Sequence, residues 1–348
     1  MLWRLTRKIL FWLDPELAHF FGALYLRLRG FVTQGRPRVV PGSRKRAHIG
    51  ALSVDSPLGV AAGFDKNGEL VLGLRSLGFG FVEVGTVTPR PQAGNPRPRV
   101  FRLPEARALI NRMGFNSQGA AVVAARLAEL RTLSAIRFPI GINIGKNRDT
   151  PLERAGEDYV SALQQLYGVA DYLVVNISSP NTPGLTGLQE GDLLAPLLRG
   201  VRAARDAQAG RGTGTPKPLF LKLSPDLEGP ARKLAVETAV GEGFEGIIAS
   251  NTSVRRDFSG LAGAKAATVA EKGGLSGLPL AEDALRHIGE IRALVGSQIT
   301  LISVGGLASA EDARRRLDHG ADLLQVYTEF VYSGPGFPRE IAQGLSSF

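Results

Sequence analysis

The segment "NISSPNTPGL", Asn176 to Leu185, ends an apolar run with two adjacent serines set between asparagines, and it raises the question of what chemistry such a serine serves. A hydrolytic serine works through a neighbouring histidine. The four histidines, His19, His48, His287 and His319, lie in no such motif. The chain has no cysteine, which excludes a thiol nucleophile or acid, disulfides, and thiolate-held zinc or iron–sulfur clusters.

Other chemistry-bearing residues recur at equivalent places. Asp65 and Lys66, Thr86, Asn143, Asn176, Lys222, Asn251 and Thr252, and the pair Gly305 and Gly306 each stand at the end of a short apolar run. Any one of them could be a buried polar group satisfied by a neighbouring strand, whereas the set together marks one face of a fold. Lys222 ends a run made of Leu, Phe and Pro, and a buried ammonium needs an anion, from a ligand or from a neighbouring carboxylate. "SVGGLAS" places a Gly-Gly turn ahead of a helix whose early residues include Ser309, and "QVYTEF" follows one run later. Backbone N–H groups at that place in a barrel commonly hold a phosphate, which suggests a phosphate-bearing cofactor such as FMN.

The runs that must position these residues are "LGVAAGF", "GFVEVGTV", "PIGINIG", "YLVVNIS", "PLFLKLS", "GIIASNT", "TLISVGG" and "LLQVYTE". Each is continuous rather than alternating, as strands buried on both faces must be, with amphipathic helical stretches between them. Eight such units predict a (β/α)8 TIM barrel, an α/β fold, over residues 58–348, with a doubly wound sheet as the alternative. The connection after the second run, "PRPQAGNPRPRVFRLPEARALINRMGFNSQG", is long and Pro-rich, and a loop of that length is more often functional than idle.

Residues 1–35 read as a small helical extension, and 36–57 as a linker and lead-in. Asp14-Pro15 divides the extension into two helices, because Asp14 can cap and Pro15 suits a first helical position. Leu17, Phe20, Phe21, Leu24 and Leu28 form one apolar face of the second helix, and both tryptophans, Trp3 and Trp12, lie in the first. The segment predicts either an element lying on a membrane surface or a helical pair packed on the protein's own core. Of a formal charge of +10, residues 1–50 hold ten Lys/Arg against two Asp/Glu. Basic charge concentrated beside an amphipathic aromatic segment favours anionic lipid over nucleic acid as partner. No apolar run reaches the ~20 residues of a spanning helix. Asp14 and Glu16 interrupt any signal-peptide reading.

In their order along the chain, "LDPELAH", "AAGFDKNG", "VEVGTVTPRPQAGNPRPRVFRLPE", "INRMGFNSQG", "NISSPNTPGL", "GGLSG" and "SVGG" resemble the membrane-associated, quinone-dependent (class 2) dihydroorotate dehydrogenases over nearly the whole length. The resemblance implies oxidation of dihydroorotate to orotate in pyrimidine biosynthesis, with FMN as hydride acceptor and a membrane quinone as terminal acceptor. It makes Ser179 the base that takes the proton from the substrate carbon. It places FMN on Ala62, Gly63, Phe64, Asp65, Lys66, Thr86, Asn143, Asn176, Lys222, Ser250, Gly277, Gly306, Tyr327 and Thr328. Substrate falls to Lys66, Asn111, Arg112, Met113, Gly114, Phe115, Asn176, Asn181, Asn251 and Thr252, and the quinone head to His19, Arg102 and Tyr327. Class 1 relatives use a cysteine base, which this chain lacks. Two positions depart from the family's usual pattern: Ser250 replaces a threonine, and Glu329 puts a carboxylate beside the presumed quinone passage, where a small residue is commoner.

Two other classes are compatible with parts of the sequence. A flavin barrel acting on tRNA uridines would use the basic charge but needs a cysteine acid. A lipid-binding barrel without catalysis would not need Lys66, Ser179 and Lys222. With no transit peptide read at the N-terminus, the expected location is peripheral, on the cytoplasmic face of a bacterial inner membrane.

Overall fold

The eight apolar runs are the eight strands of a closed parallel barrel: β1 Leu58–Val60, β2 Phe81–Val87, β3 Ile140–Ile144, β4 Tyr172–Asn176, β5 Leu219–Leu223, β6 Gly246–Ala249, β7 Thr300–Val304 and β8 Leu323–Val326. This is a computed structural model, and it describes residues 2–37, 47–50, 52–133, 138–182, 184–189, 191–211, 215–227 and 229–346. Of the segment read as a linker, residues 38–46 and 51 lie outside the described residues, as does the side chain of Arg4. Pairing of Leu324 with Leu58 and of Val326 with Val60 joins the last strand to the first, which removes the doubly wound alternative. The continuous apolar runs follow from this closure, since β2 to β6 are buried at every residue, inside against the barrel axis and outside against the helices.

The amino-terminal half of the barrel interior is filled by rings. Phe81, Tyr172 and Phe220 lie over Gly59, Gly141 and Gly246, where an added Cβ would fall 2.4, 2.0 and 2.1 Å from the respective ring. A hairpin of Ala47–Ile49 and Leu52–Val54 closes this end, packing Ile49 and Val54 into the same apolar cluster. With the base sealed, polar groups collect at the other end. There a three-stranded antiparallel sheet of Val100–Leu103, Ala108–Asn111 and Gly274–Gly277 is built from the long connection after β2 and a segment after β6.

The N-terminal segment forms α1 Leu2–Trp12 and α2 Pro15–Thr33, divided where the sequence predicts: Asp14 accepts hydrogen bonds from the N–H groups of Glu16 (2.9 Å) and Leu17 (3.2 Å). One side of α2 packs on α3 Val71–Ser76 at backbone contact. A Cβ on Gly30 would lie 2.7 Å from the Gly73 nitrogen, and buried Leu26 joins the main core. Glu16 pairs with Arg99 at 2.9 Å and with Arg97 at 2.7 Å, and Arg29 donates to the Ser76 hydroxyl at 2.8 Å. The other side of α2 is left open among the described residues: Leu17, Phe20, Phe21, Leu24 and Leu28 each keep between 41% and 58% of their surface exposed. The two sequence readings of this segment thus apply to opposite faces of one helix. The tryptophans also separate, Trp12 being 90% exposed while Trp3 packs against Gly334 and donates to the Tyr332 carbonyl at 3.1 Å. Among the described residues no helix is long and apolar enough to cross a membrane.

Candidate active site

A cleft open to solvent lies over the carboxyl ends of the strands. Its wall gathers most of the residues singled out in the sequence: Ala62, Gly63, Lys66, Thr86, Asn111, Met113, Gly114, Phe115, Asn176, Ser179, Asn181, Lys222, Ser250, Asn251, Thr252, Gly277, Gly306, Tyr327 and Thr328. Phe64, Asp65, Asn143, Arg112, His19 and Arg102 are not on that wall.

The floor is a linked set of hydrogen bonds centred on Glu83. Lys222 Nζ donates to Glu83 Oε1 at 3.1 Å, Asn143 Nδ2 donates to the same oxygen at 2.6 Å, and Gln325 Nε2 donates to Oε2 at 2.6 Å. Asn143 Oδ1 accepts from the Thr86 hydroxyl (2.6 Å) and from Asn176 Nδ2 (3.0 Å). Glu83 is fully buried and Lys222 nearly so, so the ammonium balances the carboxylate from inside while forming part of the cleft floor. Both anions considered for Lys222 from sequence therefore have a place: a carboxylate below and open cleft above. Glu83 itself was missed, because a lone glutamate within "FVEVGTV" gives no sign of which face it occupies. Asn143 spends its amide on neighbours, so it shapes the floor without being exposed.

The serine pair divides its duties. Ser178 donates its hydroxyl to Asn176 Oδ1 at 3.1 Å and accepts from Asn251 Nδ2 at 2.9 Å, which consumes it. Ser179 lies on the cleft wall, and its oxygen accepts only the backbone N–H of Asn181, at 3.3 Å, among the described contacts. Across from it, Asn181 Nδ2 reaches Asn111 Oδ1 at 3.4 Å, and Lys66 Nζ donates to the Gly63 carbonyl at 2.8 Å. Asn116 Oδ1 is buried without a partner in the same loop. The result is a ring of amides and one cation around a free hydroxyl, suited to a flat anion with amide-like edges. Burial, reinforced by the charge of Arg99 and opposed by Glu16 and Asp65, pushes the Lys66 ammonium down to about 8.

Asp65, Arg112 and the helix after the Gly-Gly turn act from behind the wall. Asp65 accepts from the N–H groups of Glu69 (2.9 Å) and Leu70 (2.8 Å), anchoring the turn into α3, and burial raises its pKa. Arg112 turns away to Glu271 (2.6 Å) and lies over the Phe101 ring. The helix Ala310–Asp318 after the Gly-Gly turn is capped by its own residues: Ser309 accepts from the Asp312 N–H at 3.1 Å, and Asp312 Oδ2 accepts from the Ala308 N–H at 3.2 Å. The turn's glycines, rather than that helix end, face the cleft. Gly277, Gly305 and Gly306 have φ of 106°, 110° and 70°, a region open to glycine, and a Cβ on Gly306 would stand 2.5 Å from the Ala281 backbone. Such bare backbone admits a phosphate, and Lys222 suits an anionic ring edge, so the residues present fit a phosphorylated flavin.

Toward the N-terminal helices, His19 and Tyr327 stack edge-on against opposite parts of Phe64, with centroids 5.2 and 5.5 Å away. Burial, and then the charge of Lys66, pushes His19 down to about 4, so it is neutral at pH 7. Burial raises Tyr327 to about 12. Arg102 donates to the carbonyls of Phe11 (3.3 Å) and Leu13 (2.8 Å), holding the end of α1. Glu329, the unusual carboxylate, is bound by Arg107 and Ser333, and its hydrogen bond raises the Arg107 pKa. The charge that the sequence put beside the passage is thereby neutralised within the fold. Arg107 could not have been singled out in advance, since its partner lies 222 residues away.

Known proteins agree with this architecture. The profile of the family described as "Dihydroorotate dehydrogenase" matches residues 46–348. A protein of Acidithiobacillus ferrooxidans named dihydroorotate dehydrogenase (quinone) is 45% identical, covering 99% of this chain and 94% of its own. One of the same name from Leifsonia xyli subsp. xyli is 48% identical, covering 96% and 95%. A crystal structure of DHODH from Eimeria tenella, in complex with ferulenol, superposes with a TM-score of 0.87 at 35% identity, over 95% of this chain and 90% of that one. The chain belongs to the dihydroorotate dehydrogenase family, in its quinone-dependent branch.

Proposed function

We infer that the protein oxidises dihydroorotate to orotate in pyrimidine biosynthesis and delivers the electrons to a quinone. It is a flavin-dependent oxidoreductase, and FMN is the flavin we propose. The observation that carries the reading is the free hydroxyl of Ser179 on a cleft whose floor is the Lys222 ammonium.

When bound, the flavin supplies the hydride acceptor that no side chain can provide. Lys222 would face its anionic edge, the backbone of Gly277, Gly306 and Thr328 its phosphate, and Ala62, Gly63, Thr86, Asn176, Ser250 and Tyr327 the rest of it. Asn111, Asn176, Asn181, Asn251 and Thr252 would hold the substrate's amide edges, with Met113, Gly114 and Phe115 closing over it and Lys66 opposite its carboxylate. Ser179 would take the proton from the substrate carbon on its oxygen while its own hydroxyl proton passes to water in the open cleft. Phe64, Asp65, Asn143 and Arg112 act by supporting these residues.

The half-exposed apolar face of α2, with Leu5, Ile9 and Trp12 of α1, would lie in a membrane surface, with basic residues meeting anionic lipid. His19, Tyr327 and Arg102 would border the quinone's approach. The cytoplasmic face is the proposed side, and no nucleic acid is expected as partner.

The test is purification without added flavin. The preparation should be yellow, should release FMN on denaturation, and should reduce a dye with dihydroorotate. Colourless protein, or flavin that dihydroorotate does not bleach, would refute the reading.

A further inference from the structure

Buried arginines in this protein come with acids, with one exception. Arg99, Arg205 and Arg232 are 6%, 5% and 4% exposed and pair with Glu16, Glu245 and Glu290. Arg316, 2% exposed, has no carboxylate within ion-pair distance among the described residues. The acids nearest in effect are spent elsewhere: Asp312 accepts from Ala308 and Ser309, and Glu282 accepts from Arg315. Burial pushes Arg316 down to about 10, which still leaves it cationic at pH 7. A buried cation without a counter-ion is costly, and the structure offers three neutral oxygens in place of one.

Those oxygens say what the charge is for. Arg316 Nη1 donates to the Ser303 hydroxyl at 2.8 Å, and Nη2 donates to the carbonyls of Gly305 (2.6 Å) and Ala281 (3.4 Å). In a trans peptide the C=O and the following N–H point in opposite directions. Holding the Gly305 carbonyl toward Arg316 therefore turns the Gly306 N–H away from it, to the side where both glycines line the cleft. The turn cannot slide, because Gly306 is in backbone contact with Ala281, which Arg316 also binds.

We propose that Arg316 is a positioning residue for the cofactor's phosphate: its guanidinium orients the Gly305–Gly306 peptide toward the cleft, and its unpaired charge is balanced by the phosphate across that turn. The proposal rests on the reading that a phosphorylated flavin sits on these glycines. Full-length protein stripped of flavin is titrated with FMN and with riboflavin, which has the same ring and no phosphate. Wild type should prefer FMN strongly. Arg316→Met should lose about tenfold or more of that preference, the worth of a charge-assisted contact, with riboflavin affinity nearly unchanged. Arg316→Lys should keep most of it. Arg316→Gln, which retains donors without charge, should behave like Met and serves if the Met variant does not fold. Equal weakening of both ligands, or a preference kept by Gln, would overturn the assignment. No preference in the wild type would overturn the phosphate reading itself.

Discussion

The cleft floor and the N-terminal helices treat unfavourable groups in opposite ways. Under the cleft, Glu83, Lys222, Asn143 and Gln325 are removed from water, and the Glu83 carboxylate accepts from the other three. On α2, Leu17, Phe20, Phe21, Leu24 and Leu28 keep roughly half of their surface in water. The first arrangement fixes geometry and charge, as an environment for electron and proton transfer must. The second leaves apolar surface for something outside the chain. On the proposed function the two half-reactions would belong to these two regions, which meet at Phe64, whose ring touches both His19 and Tyr327.

Four changes on the barrel side would break or sharpen that contrast. Ser179→Ala should slow flavin reduction by dihydroorotate by ~10²–10⁴, the usual worth of a general base, with the flavin still bound. Reduction at wild-type speed in stopped flow would remove Ser179 from the chemistry. Lys222→Ala breaks a buried pair and strands Glu83, so it should cost about 3–5 kcal/mol of stability and release flavin. Adding Glu83→Gln to Lys222→Met should restore the melting temperature but not flavin retention; recovery of both would make Lys222 purely structural.

Lys66 carries a sign that pH can read. Its folded pKa is lowered to about 8, so its charge is lost as pH rises through that value, and an anionic substrate then loses its partner. kcat/KM for dihydroorotate with a dye acceptor should therefore fall above about pH 8. A profile flat to pH 9.5 would separate Lys66 from substrate binding. Asn143→Ala removes two neutral hydrogen bonds, to Thr86 and Asn176, at about 1 kcal/mol each, and one to the Glu83 carboxylate at about 1.5–3 kcal/mol, so it should lower thermal stability while releasing the least flavin. Flavin loss as large as that of Lys222→Ala would mean the floor network acts as one unit.

The barrel was legible because strands buried on both faces leave continuous apolar runs, and the polar residues ending those runs, Thr86, Asn176, Lys222 and Asn251, fall on the cleft as expected. Side-chain facing was less legible. Ser178 and Ser179 are equivalent as letters, and only the contacts to Asn176 and Asn251 show which hydroxyl is left for the cleft. Long-range partners were not legible at all: Glu83 meets Lys222 and Glu329 meets Arg107 through closure of the barrel, and Glu16 meets Arg99 through docking of α2. Leu26, Gly30 and Glu16 of α2 are anchored to the rest of the fold, so removing residues 1–35 whole would damage its core.

The division of labour is best tested by leaving the anchoring contacts of Glu16, Leu26 and Gly30 in place and changing only the outward face. A variant with Ile9, Trp12, Phe20 and Leu28 replaced by serine, all at least 56% exposed, should fold as wild type. In anaerobic double-mixing stopped flow with quinone in anionic vesicles, the account predicts flavin reduction by dihydroorotate at the wild-type rate and reoxidation by quinone slowed at least about tenfold, as membrane affinity is lost with the buried apolar area. Reoxidation at the wild-type rate, or equal slowing of both half-reactions, would contradict it.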